Sequence, residues 1–333
     1  MSGRSIIAGA SLLMAAAISA GSAPAQGSKF VIAAPGIPPI FAAVPLYVAE
    51  KEGLFKKYGV NVEIRPFDTG TAAARAVLAG DIEMSMSPSA LIINQVSNAD
   101  ADLIAVYGIE NSDMVLASTD PTRSCKDVIG QPVGIDTVGG ARSIALRTML
   151  ANGCPGAKID DVRQVALSSN VGAALVAGRL QFGVLHLDDV SAVENEGKPL
   201  KILLTIQQSS PHGHYLLYVV RRDKLAANRE GYVHILAALI DAARFIRNPA
   251  NADKVAADAA PTGRSEAVAK ATINRLTDID YWPVEDDGLD RKRLEALIAL
   301  MKKTGGITAD KEPVAYERLV DESNWRDAKQ MVK

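Results

Sequence analysis

The 333-residue chain has little of what most enzyme chemistry draws on: two cysteines, four histidines and a formal net charge of only −2. Near-neutrality without a long basic run leaves no electrostatic footprint for a nucleic acid, so none is expected as a partner. No G-x-S-x-G elbow, no P-loop and no G-x-G-x-x-G occurs, and no cofactor is expected. The pair His212 and His214 flanks Gly213 with no cysteine or carboxylate clustered beside it, so no metal site is expected either. After the N-terminus no apolar run approaches the ~20 residues that a transmembrane helix needs.

The single long apolar run stands at the start. Arg4 precedes apolar residues from Ile6 to about Ala20, and Ala23-Pro24-Ala25 supplies a small-residue exit before Gln26. Residues 1–25 therefore read as a secretory signal peptide cleaved after Ala25, which makes the periplasm the expected location; a retained N-terminal anchor is the alternative. The remaining residues exceed one typical core and point to two lobes. An apolar content of 48% excludes disorder. In an oxidising compartment Cys125 and Cys154 are either disulfide-bonded, closing a loop of about 30 residues for about 3–4 kcal/mol, or two buried thiols.

Between these cysteines lies the stretch on which the chain is organised. Residues 134–150, G-I-D-T-V-G-G-A-R-S-I-A-L-R-T-M-L, continue a short apolar strand into a Thr/Gly turn and a helix with apolar Ile144, Leu146, Met149 and Leu150. The helix opens on a small polar loop, where unpaired N–H groups and about half a positive charge favour a ligand oxygen. Arg142 in that first turn opposes the dipole. It suits either an anionic or strongly polar group placed between the two, or an exposed turn in solvent.

Strands and helices alternate three times through the first stretch: strands at 29–34, 60–64 and 82–86, helices at 41–58, 72–79 and 90–96. The plan repeats at 133–136, 162–167, 182–187 and 200–206. Such alternation predicts α/β lobes, each a mostly parallel sheet flanked by helices. Asp120-Pro121-Thr122-Arg123 reads as the first crossing between lobes and residues 211–220 as the return. Lobe 1 is then 26–117 with 217–333, lobe 2 is 118–216, and the two crossings form a hinge. The last third is helical cladding, with Leu236, Leu239, Ile240 and Ala243, and again Leu294, Leu297, Ile298 and Met301, at i, i+3, i+4, i+7. Ligands of such sheets bind outside the carboxyl ends of the strands. His186, with Asp188, stands at one such end, able to donate to a ligand, act as a general base, or cap the next helix.

Residues 45–63, P-L-Y-V-A-E-K-E-G-L-F-K-K-Y-G-V-N-V-E, resemble the opening of the SsuA/THI5-like (NMT1-type) family. Ala79-Gly80-Asp81-Ile82-Glu83 is similar to its A-G-[DE]-I-D element, and residues 129–135, I-G-Q-P-V-G-I, to the start of its second lobe. The resemblance implies the two-lobed periplasmic binding protein fold (type II) with a two-strand hinge. It also implies an ABC importer's solute-binding protein, a monomer serving a permease in the inner membrane. The ligand would sit among Ile40, Phe41, Gly70, Thr71, Ser87, Ser89, Thr137, Gly140, Arg142, Asn170, His186 and Asp188. The expected guest is a small anionic or oxygen-rich solute such as nitrate, a sulfonate, taurine or a carboxylate, held mainly by Arg142. Two alternatives stay open: a pyrimidine or thiamine precursor, which the lack of a dense aromatic box disfavours, and an enzyme using His186 and Asp188.

Overall fold

The structure, a computed structural model, describes residues 29–332; the expected leader and its cleavage point lie outside them. Among the described residues ten strands form two five-stranded sheets. β1 (Phe30–Pro35), β2 (Val62–Phe67), β3 (Met84–Pro88), β4 (Leu103–Ile109) and β10 (Leu216–Arg221) make the first, ordered β2-β1-β3-β10-β4. β5 (Val115–Ser118), β6 (Pro132–Ile135), β7 (Arg163–Ala166), β8 (Phe182–Leu185) and β9 (Lys201–Thr205) make the second, ordered β7-β6-β8-β5-β9. In each sheet one strand runs against the rest: β10 lies antiparallel between β3 and β4, and β5 between β8 and β9. The other recorded pairings are parallel. These are the expected α/β lobes with mostly parallel sheets.

The crossing points move. Residues 103–116 form two strands in different sheets, divided by the polar Glu110, Asn111, Ser112 and Asp113. The chain thus leaves the first sheet at 110–114, ahead of Asp120, and Val115 to Ala117 pair in the second sheet. The return occupies 206–215.

Local chemistry sets the helix boundaries. Thr69 accepts from Ala72 N at 3.1 Å to cap Gly70–Ala79, and Gly80, at φ 85°, ends it. The helix expected over 41–58 is broken. Gly53, at φ 70°, separates Val44–Lys51 from the short turn Leu54–Lys57, because a left-handed residue cannot continue a right-handed helix.

One apolar cluster spans both halves, taking in Ile32, Met86, Tyr218, Ile235 and Leu236 on the first side and Val171, Leu175, Leu187 and Val190 on the second. The predicted face of Arg229–Arg247 is buried throughout. Arg291–Thr304 buries Leu294, Ile298 and Met301, leaves Leu297 half-buried, and ends at Gly305 after Lys302 and Lys303. Trp282 is a packing residue: it is buried, and its Nε1 donates to the Ala42 carbonyl at 3.1 Å. Glu266–Asp278, from the C-terminal third, packs on Leu187–Asn195 of the second half. The two cysteines are bonded, with Cα atoms 5.9 Å apart, and Cys154 sits at the end of Ala141–Gly153.

Candidate functional site

Three second-sheet helices begin just after the carboxyl ends of strands: Ala141–Gly153 after β6, Val171–Val176 after β7 and Leu187–Asn195 after β8. The first of these ends is already occupied. Asp136, leaving β6, accepts from Thr137 N at 2.7 Å and from Arg142 N at 3.3 Å. Gly140 is required there, since a Cβ would stand 2.7 Å from the Asp136 carboxylate. The helix buries Ala145, Leu146, Met149 and Leu150, while Ile144, expected on that face, points to solvent.

Arg142 is not a solvated turn residue. It is buried, and its Nη2 donates to Asp189 Oδ2 at 2.7 Å, while its Nη1 has no acceptor among the described residues. Of the two readings of Arg142, the anionic partner is the one found, and it is part of the chain. Asp189 lies in the first turn of Leu187–Asn195, where it also accepts from His186 N at 3.3 Å. Arg264 approaches from the other side, following Gly263, where a Cβ would meet Pro38 of the β1 loop at 3.2 Å. It donates to Asp188 Oδ2 at 2.8 and 2.5 Å and to Asp189 Oδ1 at 2.6 Å. Burial, then the neighbouring Asp189 charge, pushes the Asp188 carboxyl above its ordinary range, although Arg264 pulls it down.

His186 does not hydrogen-bond to Asp188. Its Nδ1 meets Asp113 Oδ1 at 2.9 Å, and the other oxygen of Asp113 accepts from Leu187 N at 3.2 Å. Burial alone would lower His186, but the Asp113 charge and hydrogen bond outweigh it and raise the imidazole overall. Burial would likewise raise Asp113, and His186 more than reverses that. The two therefore form a hydrogen-bonded histidine–carboxylate pair that ties the first crossing to a helix of the second half. Among the described residues no serine or cysteine side chain hydrogen-bonds to His186.

A cavity of about 590 Å³ opens beside this cluster, lined by Asn170, Asp189, Glu196, Arg264 and Ser265 among others, with Val193 on its apolar side. Asn170 and Asp189 come from the second half, and Arg264 and Ser265 from the C-terminal third.

The remaining predicted residues lie on the first-sheet side or in loops. Ser87 Oγ donates to Gly70 O at 3.1 Å and shares a hydrogen bond with Ser85. Ser89 is buried with its Oγ 2.8 Å from His214 Nδ1. His214 Nε2 is 2.8 Å from Gly288 O, so both nitrogens of this ring are engaged and the H-x-H pair has no free histidine at that end. Phe41 packs against Trp282, with ring centroids 6.4 Å apart, and Ile40 is half-buried beside it. Thr71 is half-buried, Thr137 is exposed, and neither makes a side-chain hydrogen bond among the described residues. The sequence reading missed Asp113, Asp136, Asp189 and Arg264. It also missed a string of rings: His186 to Tyr215 at 6.5 Å, Tyr215 to Tyr281 at 6.3 Å and Tyr281 to Trp282 at 5.3 Å. The adjacency of Asp189 to Asp188 was a usable sign; Arg264, between a glycine and a helix-capping serine, gave none.

The sequence model of the family described as NMT1/THI5 like matches residues 41–252. The chain belongs to that family. Among curated relatives of this NMT1/THI5-like chain, a Brucella abortus protein is 22% identical over 274 residues, covering 81% of this chain and 84% of its own. Among solved structures, the periplasmic aliphatic sulphonate-binding protein SsuA of Escherichia coli superposes with a TM-score of 0.67 at 18% identity, covering 91% of this chain and 99% of its own. The periplasmic nitrate-binding protein NrtA of Synechocystis PCC 6803 gives 0.67 at 13%, covering 92% and 89%. At these identities the likeness shows the fold: the two-lobed architecture of binding proteins.

Proposed function

We propose that this NMT1/THI5-like chain is the solute-capturing component of an ABC importer, exported to the periplasm and working as a monomer with an inner-membrane permease. The observation that carries the reading is a charge contact between the C-terminal third and the second half at the edge of a cavity. Arg264, which follows a glycine packed on Pro38 of the β1 loop, pairs with Asp188 and Asp189 at the start of a second-half helix, and Asn170, Asp189 and Arg264 line a cavity of about 590 Å³. A sulphonate for SsuA and nitrate for NrtA favour a small, oxygen-rich guest.

The mechanism is hinge closure across 110–114 and 206–215. A solute contacting both sides is fully bound only when they meet, and that difference in affinity shifts the population toward the closed form. Micromolar binding requires about 8 kcal/mol, within reach of several hydrogen bonds to charged groups in a dehydrated crevice. The contacts of this cluster are structural: Asp113 holds His186 through Nδ1, and Arg264 holds Asp188.

The test is a thermal-shift screen of sulfonates, carboxylates, amides and pyrimidines on the mature chain, followed by calorimetry and scattering. Saturable one-to-one binding with a more compact envelope and no chemical change in the solute is expected. Turnover of the bound molecule, or an unchanged envelope at saturation, would remove the reading.

A further inference from the structure

We propose that the crevice selects a solute without net negative charge, because the places where it would hold an anion are already filled by Asp136, Asp188 and Asp189. The inference rests on the crevice being the solute site and concerns which charge class enters it.

Two features beside the cavity attract an anion, the amide end of Ala141–Gly153 and the guanidinium pair of Arg142 and Arg264, of which Arg264 is on the cavity wall. Asp136 takes the first through two backbone N–H groups. Asp189 takes the second by placing one oxygen on each arginine, at 2.7 and 2.6 Å, and Asp188 adds contacts to Arg264 at 2.5 and 2.8 Å. These carboxylates cannot easily withdraw to make room. Asp189 is fixed in a helical first turn and also accepts from His186 N, and Asp136 is closed into its own turn. The His186 ring is held by Asp113 at 2.9 Å. Neither Asp136 nor Glu196, on the cavity wall, has a cation partner among the described residues, so the balance around the crevice leans negative.

An incoming sulfonate or nitrate would therefore meet carboxylates without a spare cation. A sulfone, amide, polyol or zwitterion meets no such opposition. Arg142 does not line the cavity, and its Nη1 is buried, so it adds no cation to the wall.

The experiment uses small-molecule extract separated on an anion exchanger into a retained, anionic fraction and a flow-through fraction. Each fraction is applied to the mature chain in thermal shift, beside methanesulfonate and its uncharged analogue dimethyl sulfone. Wild type should be stabilised by the flow-through, and dimethyl sulfone should bind more tightly than methanesulfonate. Asp189→Asn frees one guanidinium charge and should bind methanesulfonate at least tenfold more tightly than wild type. Asp136→Asn, which frees the helix end instead, is read the same way should the first variant fold poorly. Stabilisation of wild type by the anionic fraction, or no gain for methanesulfonate in either folded variant, overturns the inference while solute binding stands. If neither fraction stabilises wild type, the binding reading fails and this inference fails with it.

Discussion

Replacing Arg264 by methionine keeps an unbranched apolar stem beside Pro38 and removes the guanidinium that joins the C-terminal third to the second half. Asp189 retains Arg142, but Asp188 loses its only recorded ion pair. The side chains are 14% exposed for Asp188, 7% for Asp189 and 28% for Arg264. Orphaning a buried carboxylate costs about 3–5 kcal/mol, and the partial exposure of Arg264 brings the expected loss to about 2–3 kcal/mol near pH 7.5. The pH dependence has a definite sign. Burial, then Asp189, already raises the Asp188 carboxyl, and Arg264 is what restrains it; the variant raises it further. A carboxyl raised on folding contributes stability below its unfolded value that is lost as pH rises through the folded one. The deficit of the variant should thus be smallest below about pH 4 and grow toward neutrality. Urea unfolding of both proteins at pH 4 and pH 7.5, followed by circular dichroism, reads it. Equal deficits at the two pH values, or less than about 0.5 kcal/mol at pH 7.5, would refute the assignment of Arg264 as the charge that restrains the rise of the Asp188 carboxyl.

Three further perturbations test other joints of the molecule. Removing the disulfide as Cys125→Ser with Cys154→Ser should lower stability by about 3–4 kcal/mol, read as a shift in the urea midpoint that reductant reproduces in wild type. His214 is pushed down to about 4 by burial, with the Gly288 carbonyl opposing, so it folds uncharged. Its contribution is present above the ordinary imidazole value near 6.5 and is lost as pH falls toward 4, on the order of 3 kcal/mol. His214→Asn should flatten the acid limb of the stability profile over that window, at a cost of about 1–2 kcal/mol at pH 7. Gly108→Ala would place a Cβ 2.0 Å from the Gly288 carbonyl oxygen, and overpacking against backbone should cost about 3 kcal/mol or abolish soluble expression.

Much of the fold could be read locally because its signals are local. The alternation of strands and helices, Gly80 and Gly305 as helix ends, and the buried stripes of Arg229–Arg247 and Arg291–Thr304 all follow from residues within a few turns of one another. The errors also have local causes. Gly53 was read through as part of a helix, since Leu54, Phe55 and Tyr58 continue an apolar pattern beyond it. Residues 103–116 look like one apolar run, yet Glu110 to Asp113 carry enough polarity to end β4. Asp113 then proves to be the anchor for His186.

The candidate site was legible in position but not in charge. Helix beginnings after β6, β7 and β8 can be found from turn residues, and Asn170 and Asp189 do line a cavity there. Whether such an end is open to a ligand depends on partners that the local pattern does not reveal. Arg142 meets Asp189 across 47 positions, Arg264 meets Asp188 across 76, and His186 meets Asp113 across 73. An arginine at a helix N-terminus signals only that an anion is needed beside it. When a carboxylate of the same chain supplies that anion, as Asp189 does for Arg142, the arginine serves to shape the site, and its charge is no longer free for a guest. A single buried carboxylate such as Asp189 can therefore turn a fold suited to oxyanions toward uncharged or zwitterionic solutes without changing any strand or helix.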